Sequence, residues 1–120
     1  MWTYSQSTGA ITGPNGERSI GYSGHDNGKN NPALEASAGI GPIPRGKWHI
    51  VRWDAVHTDK GPIVAVLAPA ENNALGRSDF LIHGDSASHP GEASHGCIIA
   101  SRDTRLQWRA SNDRDLLVTL

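Results

Sequence analysis

His83-Gly84-Asp85-Ser86-Ala87-Ser88-His89-Pro90-Gly91-Glu92-Ala93-Ser94-His95-Gly96-Cys97 holds the only cysteine of the 120-residue chain and three of its six histidines. The stretch follows Phe80-Leu81-Ile82, an apolar run that reads as a short buried strand. Ile98-Ile99 after it suits a second core strand. Gly84, Gly91 and Gly96 let the chain fold back between the two, because glycine tolerates backbone angles that other residues avoid. Such a turn brings His83 and Cys97 together. The thiolate is the reactive form of cysteine and a free thiol is mostly protonated at neutral pH, so a nucleophilic Cys97 needs a base or an ion-pair partner. His83 is placed to be one. On composition alone a lone cysteine reads as a small buried hydrophobe, so the surrounding residues carry the functional reading.

Outward from this stretch the chain breaks into short segments. Trp2, Tyr4 and Gln6 alternate with Thr3 and Ser5 as a strand, and Ile11 starts a return. Pro14-Asn15-Gly16 marks a tight turn before a strand over residues 18–22. Residues 24–41 are irregular, with one helical turn begun by Pro32, and read either as a wall or lid of a substrate groove or as a mobile surface loop. Gly41-Pro42-Ile43-Pro44 makes a rigid bend into an alternating strand through Trp48, Ile50 and Trp53. Ile63 to Leu67 is an apolar core strand, and residues 71–78 are a polar loop. Ser101 is an N-cap and Asp103 suits the first turn of a helix running to about Ala110, with Leu106 and Ala110 on one face. Leu116 to Leu120 forms a last strand. The expected fold is mainly β: a compact barrel or sandwich of short strands with one or two short helices, in one domain over residues 1–120.

Composition removes several function classes. The net charge is −1, with no basic stripe, so no nucleic-acid partner is expected. No apolar run approaches the ~20 residues of a membrane span. One cysteine excludes an internal disulfide. The first residues lack the basic and apolar regions of a secretory signal, so the chain reads as made in the cytoplasm.

Ser94-His95-Gly96-Cys97-Ile98, with His83-Gly84 upstream, resembles the signature of the L,D-transpeptidase (YkuD-type) catalytic domain. Residues 44–50, Pro-Arg-Gly-Lys-Trp-His-Ile, resemble the Pro-x-Gly-x-aromatic-x-Ile segment that precedes that signature. Two features depart from it: the 85–93 loop is short, and Ile99 stands where the family usually has Arg or Asn. Arg102 is nearby but out of register. Trp2-Thr3-Tyr4-Ser5-Gln6-Ser7-Thr8-Gly9, Gly21-Tyr22-Ser23-Gly24, Asn30-Asn31-Pro32, Gly41-Pro42-Ile43-Pro44 and Phe80 to Gly84 together resemble the small L,D-transpeptidase-like effectors of type VI secretion systems.

The resemblance implies an L,D-transpeptidase-like fold and a cysteine enzyme of bacterial peptidoglycan that needs no cofactor and no metal. Cys97 would attack the L,D amide between residues three and four of a tetrapeptide stem. His83 would accept the thiol proton or hold a thiolate–imidazolium pair, oriented by the Gly84 carbonyl. Backbone amides of Gly96 and Cys97 would hold the oxyanion. His95 would line the site and contact substrate or the oxyanion, or simply pack beside the cysteine. Ser94 would tune the thiol or satisfy the turn. Water attack on the acyl-enzyme gives L,D-carboxypeptidase activity; a D-amino acid gives exchange, and a side-chain amine gives a cross-link. The implied partners are peptidoglycan stem peptides, a cognate immunity protein and the type VI secretion apparatus, with action in the periplasm of a target bacterium. The rival readings are a zinc peptidase built from His83, Asp85, His89 and His95, a non-catalytic wall-binding module, and a housekeeping wall-recycling L,D-carboxypeptidase. His25, His49 and His57 carry no motif and read as structural or surface residues.

Overall fold

The computed structural model describes residues 1–120. Nine strands join into one sheet. β1 (Trp2–Ser5), β2 (Ala10–Thr12) and β3 (Arg18–Ile20) form an antiparallel meander. β4 (Tyr22–Ser23) follows after Gly21. A Cβ at Gly21 would lie 2.2 Å from Ile99 O, so only glycine fits this corner. The 18–22 segment expected as one strand is therefore two. Next come β5 (Gly46–His57) and β6 (Gly61–Ala70), a long hairpin, then β7 (Leu81–His83) and β8 (Ile98–Ile99). The single α-helix α1 (Arg102–Ala110) leads into β9 (Asp115–Thr119).

The strand order is β3-β2-β1-β9-β5-β6-β7-β8-β4. β3 and β4, at its two ends, adjoin in sequence, so the sheet comes round on itself as a nearly closed, barrel-like wall. The mainly-β expectation holds. Two pairs are parallel: β1 with β9, and β7 with β8. The core is a cluster of 16 buried residues in which Trp2, Tyr4, Trp48, Ile50, Ile82, Ile98, Trp108 and Leu116 are nearly or fully covered. It follows from the period-2 pattern of each strand: Trp2, Tyr4 and Gln6 all face inward.

The helix presents a different face from the one its apolar residues suggest. Ser101 caps it, its hydroxyl accepting from Thr104 N–H. The residues it buries are Thr104, Arg105 and Trp108, while Leu106 is half-buried and Ala110 exposed. Trp108 sets the orientation, stacking on Trp2 at 4.8 Å between ring centroids and meeting Trp53 edge-on. No helix is long and apolar enough to cross a membrane. Trp108→Ala should lower stability by about 3–5 kcal/mol, and Leu106→Ala by clearly less; urea melts of the two variants read the difference.

Candidate active site

The parallel pairing of β7 with β8 places the key side chains. Ile82 is opposite Ile98 and His83 opposite Ile99. Ile82 and Ile98 both point into the core. Side chains alternate along a strand, so His83 and Cys97 fall on the opposite face, about two residues apart along the pair. Both line one cleft with His95.

His83 is buried. Its Nδ1 donates to Gly84 O at 2.8 Å, and its Nε2 has no partner in the protein. The Nδ1–H tautomer leaves Nε2 as a free basic lone pair. Burial pushes the imidazole below its ordinary value; the Gly84 carbonyl opposes this, and the charges of Lys60 and Arg105 add to the fall. Burial likewise pushes the half-buried Cys97 thiol up, only partly offset by the Leu81 N–H and the positive charges of Lys60 and Arg77. Cys97 Sγ donates to Asp79 O at 3.7 Å. Both shifts favour the neutral pair, thiol and imidazole, over the thiolate–imidazolium pair.

The turn into Cys97 is held by buried Ser94. Its Oγ donates to Cys97 O at 2.6 Å and accepts from Gly24 N–H and Gly96 N–H at 2.9 and 3.1 Å. All three contacts are backbone, so Ser94 serves the turn and does not reach the thiol. Gly96 N–H, expected to face an oxyanion, points instead to Ser94, because Gly96 sits at φ +139°. The Cys97 N–H has no hydrogen-bond partner. A Cβ at Gly96 would lie 2.6 Å from Arg77 Nη2, and one at Gly84 2.8 Å from Arg105 Nη2. His95 is exposed, with Nδ1 3.1 Å from Gly39 O and its ring tilted against that of His25 at 4.7 Å. No three of the His, Cys, Asp and Glu side chains are grouped to hold a metal ion, and His83, Asp85, His89 and His95 do not form such a set.

The cleft has two halves that share Asp59, Lys60, His83, Ala93 and His95. One, of about 500 Å³, adds Cys97, Asp79, Arg52 and His57 to the apolar Val66, Phe80 and Leu81. The other, of about 550 Å³, is polar and adds His25, Asp26, Asp85, His89 and Glu92. The 24–41 segment thus supplies a wall through His25 and Asp26. His25 and His57, read from sequence as structural or surface residues, line the cleft, whereas His49 stays exposed on β5. The 85–93 loop is tied by Asp85, which accepts from Tyr22 OH at 2.6 Å and from Ser86 and Gly91 N–H.

Sequence reasoning passed over four residues. Arg77 lay in a loop read only as polar. Its guanidinium donates to the carbonyls of Glu35, Pro42, Gly41 and His95 at 2.6, 2.7, 2.9 and 3.2 Å, and lies over the Phe80 ring. It pins the 24–41 segment to the turn before Cys97. Glu35, its carboxyl held down to about 2 by the Arg45 guanidinium, anchors the same segment. Arg105 is buried on α1 and donates to the carbonyls of Ala100, Ser101, Pro62 and Ile63. Lys60, at the tip of the β5–β6 hairpin, borders both halves of the cleft. No sequence signal marked any of the four, since each acts on at least one group far away in the chain.

Fold and cleft define a small mainly-β protein with a cysteine and a histidine presented on one face of a parallel strand pair. Residues 17–118 match the Tlde1 domain, and the chain belongs to that family, a family of type VI secretion effectors. A search of curated proteins found no match.

Arg77→Met leaves four carbonyls without their donor and should lower stability by about 2–3 kcal/mol, with a matching loss of whatever turnover the wild type shows; Arg77→Lys should recover only part of both, since an ammonium cannot span the same acceptors. The resting protonation state is tested by pH. Alkylation of Cys97 by iodoacetamide should rise through and beyond the ordinary thiol range with no acid plateau, and protonation of His83 should cut activity only below the usual imidazole value of about 6.5. A low-pH alkylation plateau would instead signal the ion pair.

Proposed function

We propose that this effector is a cysteine enzyme of peptidoglycan, cleaving the L,D amide between residues three and four of tetrapeptide stems and exchanging the released D-alanine for other D-amino acids. The observation that carries the reading is the buried His83 with a free Nε2 on the same cleft face as the Cys97 thiol. The resemblance of His83-Gly84 and Ser94 to Ile98 to the L,D-transpeptidase signature supports the bond cleaved. Membership of an effector family supports an antibacterial role in the periplasm of a target cell, with a cognate immunity protein in the producer.

His83 Nε2 takes the Cys97 proton as sulfur attacks the carbonyl carbon, so thiol and base are both neutral before the step. The developing oxyanion is held by the Cys97 N–H, an amide at this turn that no protein group occupies. Collapse breaks the C–N bond, and the imidazolium returns its proton to the leaving amine. A thioester on Cys97 remains. Water then releases the shortened stem, or a D-amino acid takes the acyl group. The polar half of the cleft, with His25, Asp26 and Glu92, suits the diamino-acid end of a stem; the apolar half suits a small leaving residue. His95 lines both halves beside the reacting atoms.

Mass spectrometry of muropeptides should show tetrapeptides converted to tripeptides by the wild type. Cys97→Ala and His83→Ala should each lose at least about a thousandfold, within the scale of removing a nucleophile or its base, while His95→Ala should lose less. The chain should be toxic when given a secretory signal and nearly harmless without one, because cytoplasmic precursors end in pentapeptides. Equal survival in both compartments with unchanged muropeptides would overturn the proposal.

A further inference from the structure

Five cationic side chains approach the cleft, and four of them are engaged. Arg77 and Arg105 are each spent on four backbone carbonyls. Arg52 Nε donates to Asp54 Oδ1 at 3.0 Å. Lys29 lies over the Tyr22 ring at 4.5 Å. Lys60 alone makes no hydrogen bond, ion pair or cation–π contact. It stands in the turn between β5 and β6 and borders both halves of the cleft. Its charge acts on both His83 and Cys97.

We infer that Lys60 receives the free terminal carboxylate of the residue that leaves, and so makes the site an exopeptidase, selective for stems that end one residue beyond the attacked carbonyl. This rests on the reading of Cys97 and His83 as nucleophile and base. The leaving residue lies on the His83 side, because its amine takes the proton from Nε2. Its small side chain is covered by Val66, Phe80 and Leu81, and its carboxylate sits one residue from the reacting carbon. That position needs a cation. Asp59 and Asp79 line the same half of the cleft. They repel a carboxylate away from the cations of this half, and of these Arg52 is paired with Asp54, so the Lys60 ammonium fixes the register of the stem. A lysine suits this task, being a compact charge on a flexible stem that gathers a carboxylate without bidentate geometry. A chain continuing past the leaving residue has no negative charge at this point and leaves Lys60 unpaired.

Two synthetic stems test it, identical except that one ends in D-alanine carboxylate and the other in D-alanine amide. The wild type should prefer the carboxylate by on the order of tenfold in kcat/KM, the scale of one partly enclosed charge-assisted hydrogen bond. Lys60→Ala should bring the ratio close to one, with the loss carried by KM of the carboxylate stem. Lys60→Arg should restore most of the preference. A Lys60→Ala enzyme that keeps the wild-type ratio, or that loses equally on both stems, overturns the inference while leaving the nucleophile and base in place. A wild type that cleaves neither stem overturns the reading of the site, and this inference with it.

Discussion

Parallel pairing of two adjacent strands is the constraint on which this structure turns. A parallel pair cannot be joined by a tight turn; the chain must travel back, usually through a helix. Between β7 and β8 it returns through residues 84–97 without one. The return is possible because side chains replace the missing ladder. Asp85 gathers Tyr22 and two backbone amides, Tyr22 OH accepts from Ala93 N–H, and Ser94 ties three backbone groups. The reward of this awkward connection is positional. It starts at the end of one strand and finishes at the start of its neighbour, so a histidine and a cysteine at its two limits emerge on one face.

The second principle is the capture of carbonyls by guanidinium groups. Irregular segments leave backbone carbonyls without partners, and burying them unpaired is costly. Arg77 and Arg105 each collect several such carbonyls from segments distant in sequence. Two glycines make room: Gly96 beside Arg77 and Gly84 beside Arg105. The glycines flanking the cysteine and histidine are thus explained by the bulk of the arginines as much as by turn geometry. Ile99 occupies the position where the resembled family has Arg or Asn. It is buried in the strand, and the positive charges that act on His83 come from Lys60 and then from Arg105, three residues beyond Arg102.

Strand periodicity made much of this fold legible. Trp2, Tyr4, Trp48 and Ile50 could be assigned to one face from alternation alone, and the cap at Ser101 from local chemistry. The β5–β6 hairpin is longer than its sequence suggests, because residues 54–60 are mostly polar and their pairing is decided by partner strands. The helix face was misjudged for a related reason: Leu106 is the more hydrophobic residue, yet aromatic stacking with Trp2 brings Trp108 inward. At the cleft, the short motif pointed to Cys97, His83 and His95, all of which line it. It could not point to Lys60 or His25, which reach the cleft only through tertiary packing, nor to Arg77, which braces the turn before Cys97. Nor could it say that Gly96 N–H is turned to Ser94, since a serine hydroxyl has several possible partners within such a turn.

The contacts of Ser23 and Gly24 with the cysteine turn have a kinetic meaning. Ser23 Oγ donates to Gly96 O, and Gly24 N–H to Ser94 Oγ, across 73 and 70 residues of chain. Closing so long a loop is entropically slow, whereas the β5–β6 hairpin pairs neighbours. The hairpin wall can therefore form early, but the turn that aims the thiol is complete only when the first quarter of the chain has come back to it. Until then nothing fixes the cysteine on the face it shares with His83. The shape of this cleft is a late product of folding.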